Sequence, residues 1–195
     1  SLSRTNWKPK KFALKRLESI FDSLQTAQRA VRELRIRATG DPDAPLAFLT
    51  SQADELARDD SFWRDRTAGG ALGENGAQFV AVTRGDRWIG TATVLLRAVG
   101  ETDHLGRVLS YPRADIVGVY IDPAHRGQGV LSDLVDAVSV WVGARGHKAL
   151  TLDVHRDNVR AQRAYARLGF ARTGVGFVSA IGPEIEMQRA IELPL

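Results

Sequence analysis

Three stretches of this sequence predict an α/β (α+β) fold built on a mixed sheet. Residues 114–121, ADIVGVYI, are almost all apolar, as a strand covered on both faces must be. Residues 129–146, GVLSDLVDAVSVWVGARG, repeat Val130/Leu131, Leu134/Val135, Val138 and Trp141/Val142 at helical spacing, with Gly146 as the stop. Two strand-like runs, AQFVAVTR and RWIGTATVLLRAVG, flank the Gly85-Asp86 turn as a hairpin does.

The other elements follow from the same signals. Residues 1–11 are polar and hold a proline, so an irregular arm is expected. FALKRLES (12–19) reads as a short edge strand. Residues 22–40 read as a helix that Asp22 caps with Gln25 in capping-box position; its stripe is Leu24, Ala27, Val31 and Leu34, and Gly40 ends it. DPDAPLAFLT is a loop, and SQADELARDDSFWRDRTAGG is one helix or two short ones. Residues 101–113 form a polar connection before the buried strand. ALTLDV is a strand, NVRAQRAYARLG a helix that stops at Gly169, and FARTGVGF and EIEMQRAI are two last strands. No repeat or linker divides the chain, so residues 12–195 are expected to form a single domain behind the basic arm 1–11.

Composition excludes several chemistries. The chain of 195 residues has no cysteine, which removes disulfides, thiolate nucleophiles and zinc–thiolate sites. Its four histidines show no metal-ligand spacing, so no metal is expected. No apolar run approaches the ~20 residues that span a bilayer, and no secretory signal opens the sequence, so a cytoplasmic location without membrane attachment is expected. Residues 1–40 hold ten Lys/Arg against three Asp/Glu, while the rest is net acidic. A basic arm suits nucleic acid or an acidic partner, but a solvated terminus explains it more simply. Nothing resembles an aromatic-interleaved nucleic-acid reader, so no nucleic acid is expected.

The densest signal is DPAHRGQGVLSDLV, residues 122–135. A glycine-bearing loop here joins a buried strand to a helix start, where unpaired N–H groups and the positive end of the helix dipole meet. Glycines let that backbone close on a ligand, and the combination suits an anion, typically phosphate. No Gly-Lys-Ser/Thr closes it, so it is not a Walker A loop. A dinucleotide site is conceivable, since Asp153 ends the next strand. Against it, five residues separate the strand from the first glycine, where a dinucleotide fingerprint turns at once. A merely structural helix entry stays open on the loop alone.

The wider pattern resembles the GNAT superfamily of N-acetyltransferases. The family's pyrophosphate loop, Arg/Gln-x-x-Gly-x-Gly/Ala, matches Arg126-Gly127-Gln128-Gly129-Val130-Leu131, with Leu131 where the family has Gly or Ala. Its later helix, Asn-x-x-Ala-x-x-x-Tyr and then Gly-Phe, matches Asn158, Ala161, Tyr165 and Gly169-Phe170. The resemblance spans about residues 12–192, with residues 12–100 similar only in outline. It implies a mostly antiparallel sheet flanked by helices and splayed between the strands at 114–121 and 149–155. It also implies acetyl-CoA as cosubstrate, with its pantetheine arm on the backbone of Val119, Tyr120 and Ile121. Its pyrophosphate would lie on the amides of Gln128, Gly129, Val130 and Leu131, with Arg126 and Gly127 opening the loop. Asn158 would bond the pantetheine arm, and as a bare sequence feature it is equally a helix N-cap. Arg160 and Arg163 are within the pattern's reach of the 3′-phosphate, though solvated helix arginines are the simpler reading.

Tyr165, by the same resemblance, donates a proton to the departing thiolate; otherwise it is a core tyrosine. The attacking amine has to be neutral, and a base or a site that depresses its pKa must help. Asp115 stands where the protein-acetylating branch of the family carries a glutamate base, one methylene shorter, so that a water would bridge; it is also an ordinary strand-entry residue. Tyr120, Asp153 and His155 are reserves. With no cysteine to carry an acetyl group, direct attack in a ternary complex is expected over a ping-pong route. An acyl-CoA sensor of the same fold without turnover is the alternative, and a nucleotide-dependent oxidoreductase a distant third. The acceptor is a small-molecule or peptide amine, and the last two strands leave room for a homodimer.

Overall fold

The computed structural model describes residues 12–17, 24–103 and 106–192. In chain order the elements are β1 (Phe12–Arg16), α1 (Leu24–Thr39), α2 (Gln52–Ala57), α3 (Asp60–Leu72), β2 (Gly76–Thr83), β3 (Trp88–Arg97) and β4 (Arg113–Ile121). Then come α4 (Val130–Gly143), β5 (Ala149–His155), α5 (Val159–Arg167), β6 (Ala171–Ser179) and β7 (Gly182–Ala190). The expected arm, the Asp22 cap and the Leu24 side chain lie outside the described residues. Segment 51–70 forms two helices because it carries two caps. Ser51 and Asp54 form a capping box at α2, and the Asp59 side chain accepts from the Phe62 N–H at α3. The α4 helix ends three residues before Gly146, whose positive φ completes the turn that follows.

The strands form one sheet in the order β1-β2-β3-β4-β5-β7-β6. Neighbours run antiparallel except β4 and β5, which are parallel and share a single registered pair, Asp115 with Thr151. Beyond that pair the two strands part. The splay expected from the resemblance is therefore present, and from Ile116 onward the β5-facing edge of β4 has no strand partner.

Helix α4 packs on one face of the sheet over Ala81, Ile116, Leu150, Leu152 and Val154. On the other face, α1 and α3 cover Val80, Val82, Trp88 and Tyr120 with Val31, Leu34 and Trp63. Burying each such side chain contributes about 1.5–3 kcal/mol, so the two clusters hold the sheet between layers of helix. Strand alternation then fixes what β5 presents. Leu150, Leu152 and Val154 face α4, so Thr151, Asp153 and His155 project to the opposite face, where Glu186 and Glu184 stand in register with Asp153 and His155. A polar strip thus runs along the sheet beside the splay, away from α4. The β4 residues Val117 to Val119 and Ile121 are only half-buried, unlike a strand covered on both faces, because they border the opening.

Candidate active site

A cleft of about 810 Å³ opens where β4 and β5 separate. Its walls come from the α1–α2 connection, β4, the β4–α4 loop, β5, α5 and the β6–β7 turn. Val119, Tyr120, Ile121, Arg126, Gly127, Gly129, Val130, Leu131, Asn158 and Tyr165 all line it. Gln128 is exposed in the same loop and donates from its side chain to the Ala124 carbonyl. Asp115 is the exception: it is buried, is not among the lining residues, and bonds to Arg113.

Two backbone devices shape the cleft. In β4, Thr91 of β3 faces Tyr120 and Thr93 faces Val117, so Gly118 and Val119 together oppose Ala92 in a β-bulge. Gly118 has φ +61°, which a residue with a side chain adopts at a penalty. At the head of α4, Gly129 is the N-cap with φ 86°, and no side chain caps the helix. The first amides of α4 have no carbonyl within the helix to reach. A Cβ at Gly127 or Gly129 would meet nothing within 4 Å, so the space over these amides is open. The loop is anchored from behind. Asp122 accepts from the Ala124 N–H and pairs with Arg37 and Arg87 at 2.9 Å each, which outweighs its burial and lowers its pKa. These features fit a diphosphate on the loop and an extended amide-bearing arm along β4. Leu131 packs partly against the core and also borders the cleft, leaving its own N–H at the helix start.

Arg126 does not point freely at this space. It donates to the Ile121 carbonyl and pairs with Asp41, while Arg160 on α5 pairs with Asp43. The α1–α2 connection is thereby tied to both sides of the cleft. Asn158 caps α5, accepting from the Ala161 N–H at 3.1 Å. Two turns on, Tyr165 borders the cleft and touches Phe170 edge-on, ring centroids 5.8 Å apart. Burial pushes its pKa up to about 12, with Arg160 pulling the other way.

The polar strip joins the reserve candidates Asp153 and His155 to groups that sequence reading passed over. Arg113 on β4 bonds Asp115 at 2.6 Å, Glu186 at 2.8 Å and Asp153 at 3.4 Å. Arg107, from the β3–β4 connection, bonds Asp103 and Asp153 at 2.7 Å each. In these ion pairs four carboxylates share two guanidinium groups. Asp153 lines the cleft, and its Oδ1 is buried with no partner. Burial raises its pKa to about 6, against Arg107 and Arg113, with Asp115 and Glu186 adding to the rise. Glu184, 6 % exposed, also lines the cleft with a partnerless Oε1. His155 accepts at Nδ1 from the Asp157 N–H, so its neutral form carries the proton on Nε2. Tyr120 is buried in the α1–α3 cluster, a packing position. Among the described residues no cluster suits a metal, and no helix is long and apolar enough to cross a membrane.

Known proteins share this architecture. Residues 33–170 match the family model described as the Acetyltransferase (GNAT) family. An aminoglycoside N(6′)-acetyltransferase type 1 of Stenotrophomonas maltophilia is 32% identical over 141 residues, 72% of this chain and 78% of that protein. The corresponding enzyme of Salmonella typhimurium strain LT2 is 29% identical over 97 residues, 50% of this chain and 63% of its own length. Among solved structures, a ribosomal L7/L12 α-N-protein acetyltransferase in complex with coenzyme A has TM-score 0.68 at 13% identity, covering 94% of this chain and 96% of that one. AAC(6′)-Iy in complex with a bisubstrate analogue has TM-score 0.59 at 19% identity, over 84% and 93% of the two chains. The structural matches establish the fold alone, and the family match joins it to the glycine loop and the Asn158–Tyr165 helix. The chain belongs to the GNAT family and is an acetyl-CoA-dependent N-acetyltransferase.

Proposed function

We propose that this enzyme acetylates a primary amine of a small cationic acceptor by direct attack, with both substrates held in the cleft. Bound acetyl-CoA supplies the activated acetyl group as a thioester. The β4–α4 loop amides hold its diphosphate, and the open edge of β4 from Val119 to Ile121 aligns its arm. Tyr165 donates a hydrogen bond to the sulfur that leaves.

The observation that carries the acceptor side is Asp153, a cleft carboxylate whose Oδ1 has no partner. A carboxyl with a pKa near 6 is ionised at neutral pH yet basic enough to take a proton from an amine as that amine attacks. Asp115, from which a base role was expected, lies behind Arg113. Its part is to hold that arginine, and Asp153 takes the role of base. Carboxylates in excess of guanidinium groups, together with the partnerless Oε1 of Glu184, leave room for cations on this face. Aminoglycosides and polyamines carry several ammonium groups at once, and the S. maltophilia relative is named for the former. The exposed edge strand β6 keeps the homodimer as part of this reading.

The test is a thiol-release screen with acetyl-CoA against kanamycin, spermidine, free amino acids and a lysine peptide, run beside Asp153→Asn. Turnover of the polycations above the others, lost in Asp153→Asn with coenzyme A binding retained, is expected. Preference for the peptide or the amino acids would refute the acceptor class, and an active Asp153→Asn the base. Thiol release with any acceptor also separates a transferase from an acyl-CoA sensor.

A further inference from the structure

Asp153 is held by one oxygen only. Its Oδ2 receives Arg107 Nη2 at 2.7 Å and, more distantly, Arg113 Nη2 at 3.4 Å. Asp153 lines the cleft, and its Oδ1 is buried without a partner. Arg113 already serves Asp115 and Glu186 over shorter distances, so the close contact that fixes the Asp153 carboxylate comes from Arg107.

Arg107 is itself immobilised. Its Nε bonds Asp103 Oδ2 at 2.7 Å, its backbone N–H bonds Asp103 Oδ1 at 2.9 Å, and its guanidinium lies 3.8 Å from the centroid of the Phe177 ring on β6. The Asp103 N–H returns to the Arg107 carbonyl at 2.9 Å, a third tie between the two residues. A planar fork seated on an aromatic face and tied at a second edge has few orientations open to it. The loop lies outside both motifs that mark the family in this sequence.

We propose that Arg107, which lines no part of the cleft, is a positioning residue of the acetyl transfer: it clamps Oδ2 of Asp153 and thereby presents Oδ1 to the attacking amine. The proposal rests on Asp153 being the base. Around that carboxyl stand Arg107 and Asp103 from the β3–β4 connection, Arg113 and Asp115 from β4, His155 on its own strand, and Glu184 and Glu186 from β7. Tyr111 donates to Glu186 and tightens the far side. Without Arg107 the surplus of negative charge grows by one, and the charged form of Asp153 loses its nearest stabilising partner. Its pKa then rises, and the acid limb of the pH–rate profile moves with it.

The experiment has two readouts on the intact chain. The first is the pH titration of the Asp153 carboxyl by ¹³C NMR, with no acceptor present. The second is the pH profile of kcat/KM for kanamycin with acetyl-CoA. Arg107→Ala is expected to move both midpoints upward by about one to two pH units. Arg107→Lys, which keeps the charge, restores most of the shift, and coenzyme A affinity stays unchanged in both. If Arg107→Ala does not bind coenzyme A, Arg107→Gln decides in its place with the same expectation. A limb that stays put while the variant loses rate equally at every pH overturns the proposal and leaves the base assignment standing. Retained activity in Asp153→Asn overturns that assignment instead, and the NMR titration still reports whether Arg107 holds the carboxyl.

Discussion

Replacing Tyr165 with phenylalanine separates proton donation from packing, because Phe keeps the ring contact with Phe170 and removes only the hydroxyl. An unperturbed tyrosine at pKa ~10 would give its proton to a thiolate of pKa ~8.5 at a penalty of about 2 kcal/mol. Here burial raises the phenol to about 12. The same transfer is then uphill by roughly 3.5 units, about 5 kcal/mol. Burial of the sulfur would raise its own pKa and narrow the gap. Full protonation before the carbon–sulfur bond weakens is thus costly, and the role proposed for Tyr165 is that of a hydrogen-bond donor to charge developing on sulfur. A hydrogen bond to a charged group is worth about 1.5–3 kcal/mol. Tyr165→Phe is therefore expected to lower kcat about 10- to 150-fold in a thiol-release assay. Calorimetric affinity for coenzyme A should change less than twofold, since that bond matters only as charge appears. Unchanged kcat under conditions where chemistry limits the rate would refute the donor role. Coenzyme A binding weakened as much as kcat would show that the hydroxyl serves ground-state binding.

Three further perturbations test the frame around the chemistry. Gly129→Ala puts a Cβ at φ 86°, a penalty of about 1–2 kcal/mol that relaxing the loop would relieve. Coenzyme A affinity by calorimetry should fall about 5- to 30-fold, and an unchanged Kd would show that the left-handed N-cap is not what shapes the phosphate seat. Asp122→Ala strips Arg37 and Arg87 of their common partner, a loss of about 2 kcal/mol and hence roughly 5 °C in Tm. Because the Asp122 pKa is lowered, this stabilisation is present above the unfolded aspartate value and disappears as pH falls through the folded one. The gap in Tm between variant and parent should close in acid; a constant gap would assign it to packing. Asp41→Asn removes the carboxylate that holds Arg126, and an arginine released toward the phosphates should tighten coenzyme A binding about two- to fivefold. Weaker binding would show instead that the α1–α2 connection must stay tied for the cleft to form.

The parts of the site legible in the sequence are those whose geometry is local. The β4–α4 loop announces itself because a buried strand, two glycines and a helical stripe follow one another without a break. Asn158 and Tyr165 lie two turns apart on one helix, so spacing puts both on one face, and the resemblance marks that face as the cofactor's. Segment 51–70 leaves one helix or two open from its sequence, and the Asp59 cap that divides α2 from α3 decides for two. The acidic strip is different in kind. Asp153 and Glu186 are 33 residues apart and meet because β7 inserts beside β5 ahead of β6, an order that composition and periodicity do not contain. A trace of it exists in Glu184-Ile185-Glu186-Met187, where charge alternates with apolar residues as on a strand whose second face must be satisfied by something other than water.

The difference between Asp115 and Asp153 as the base follows from this geometry. Both are carboxylates on neighbouring parallel strands, both point away from α4, and the side chains of both are more than nine-tenths buried. Asp115 sits at the last position where β4 and β5 are still paired, so the sheet is closed around it and Arg113 takes its charge. Asp153 lies two residues past Thr151, where the strands have begun to part, and it lines the cleft with a buried, partnerless Oδ1. In the proposed reading, those two residues of register decide which of two chemically identical groups meets the substrate. On that proposal the splay is what separates a structural carboxylate from a reactive one.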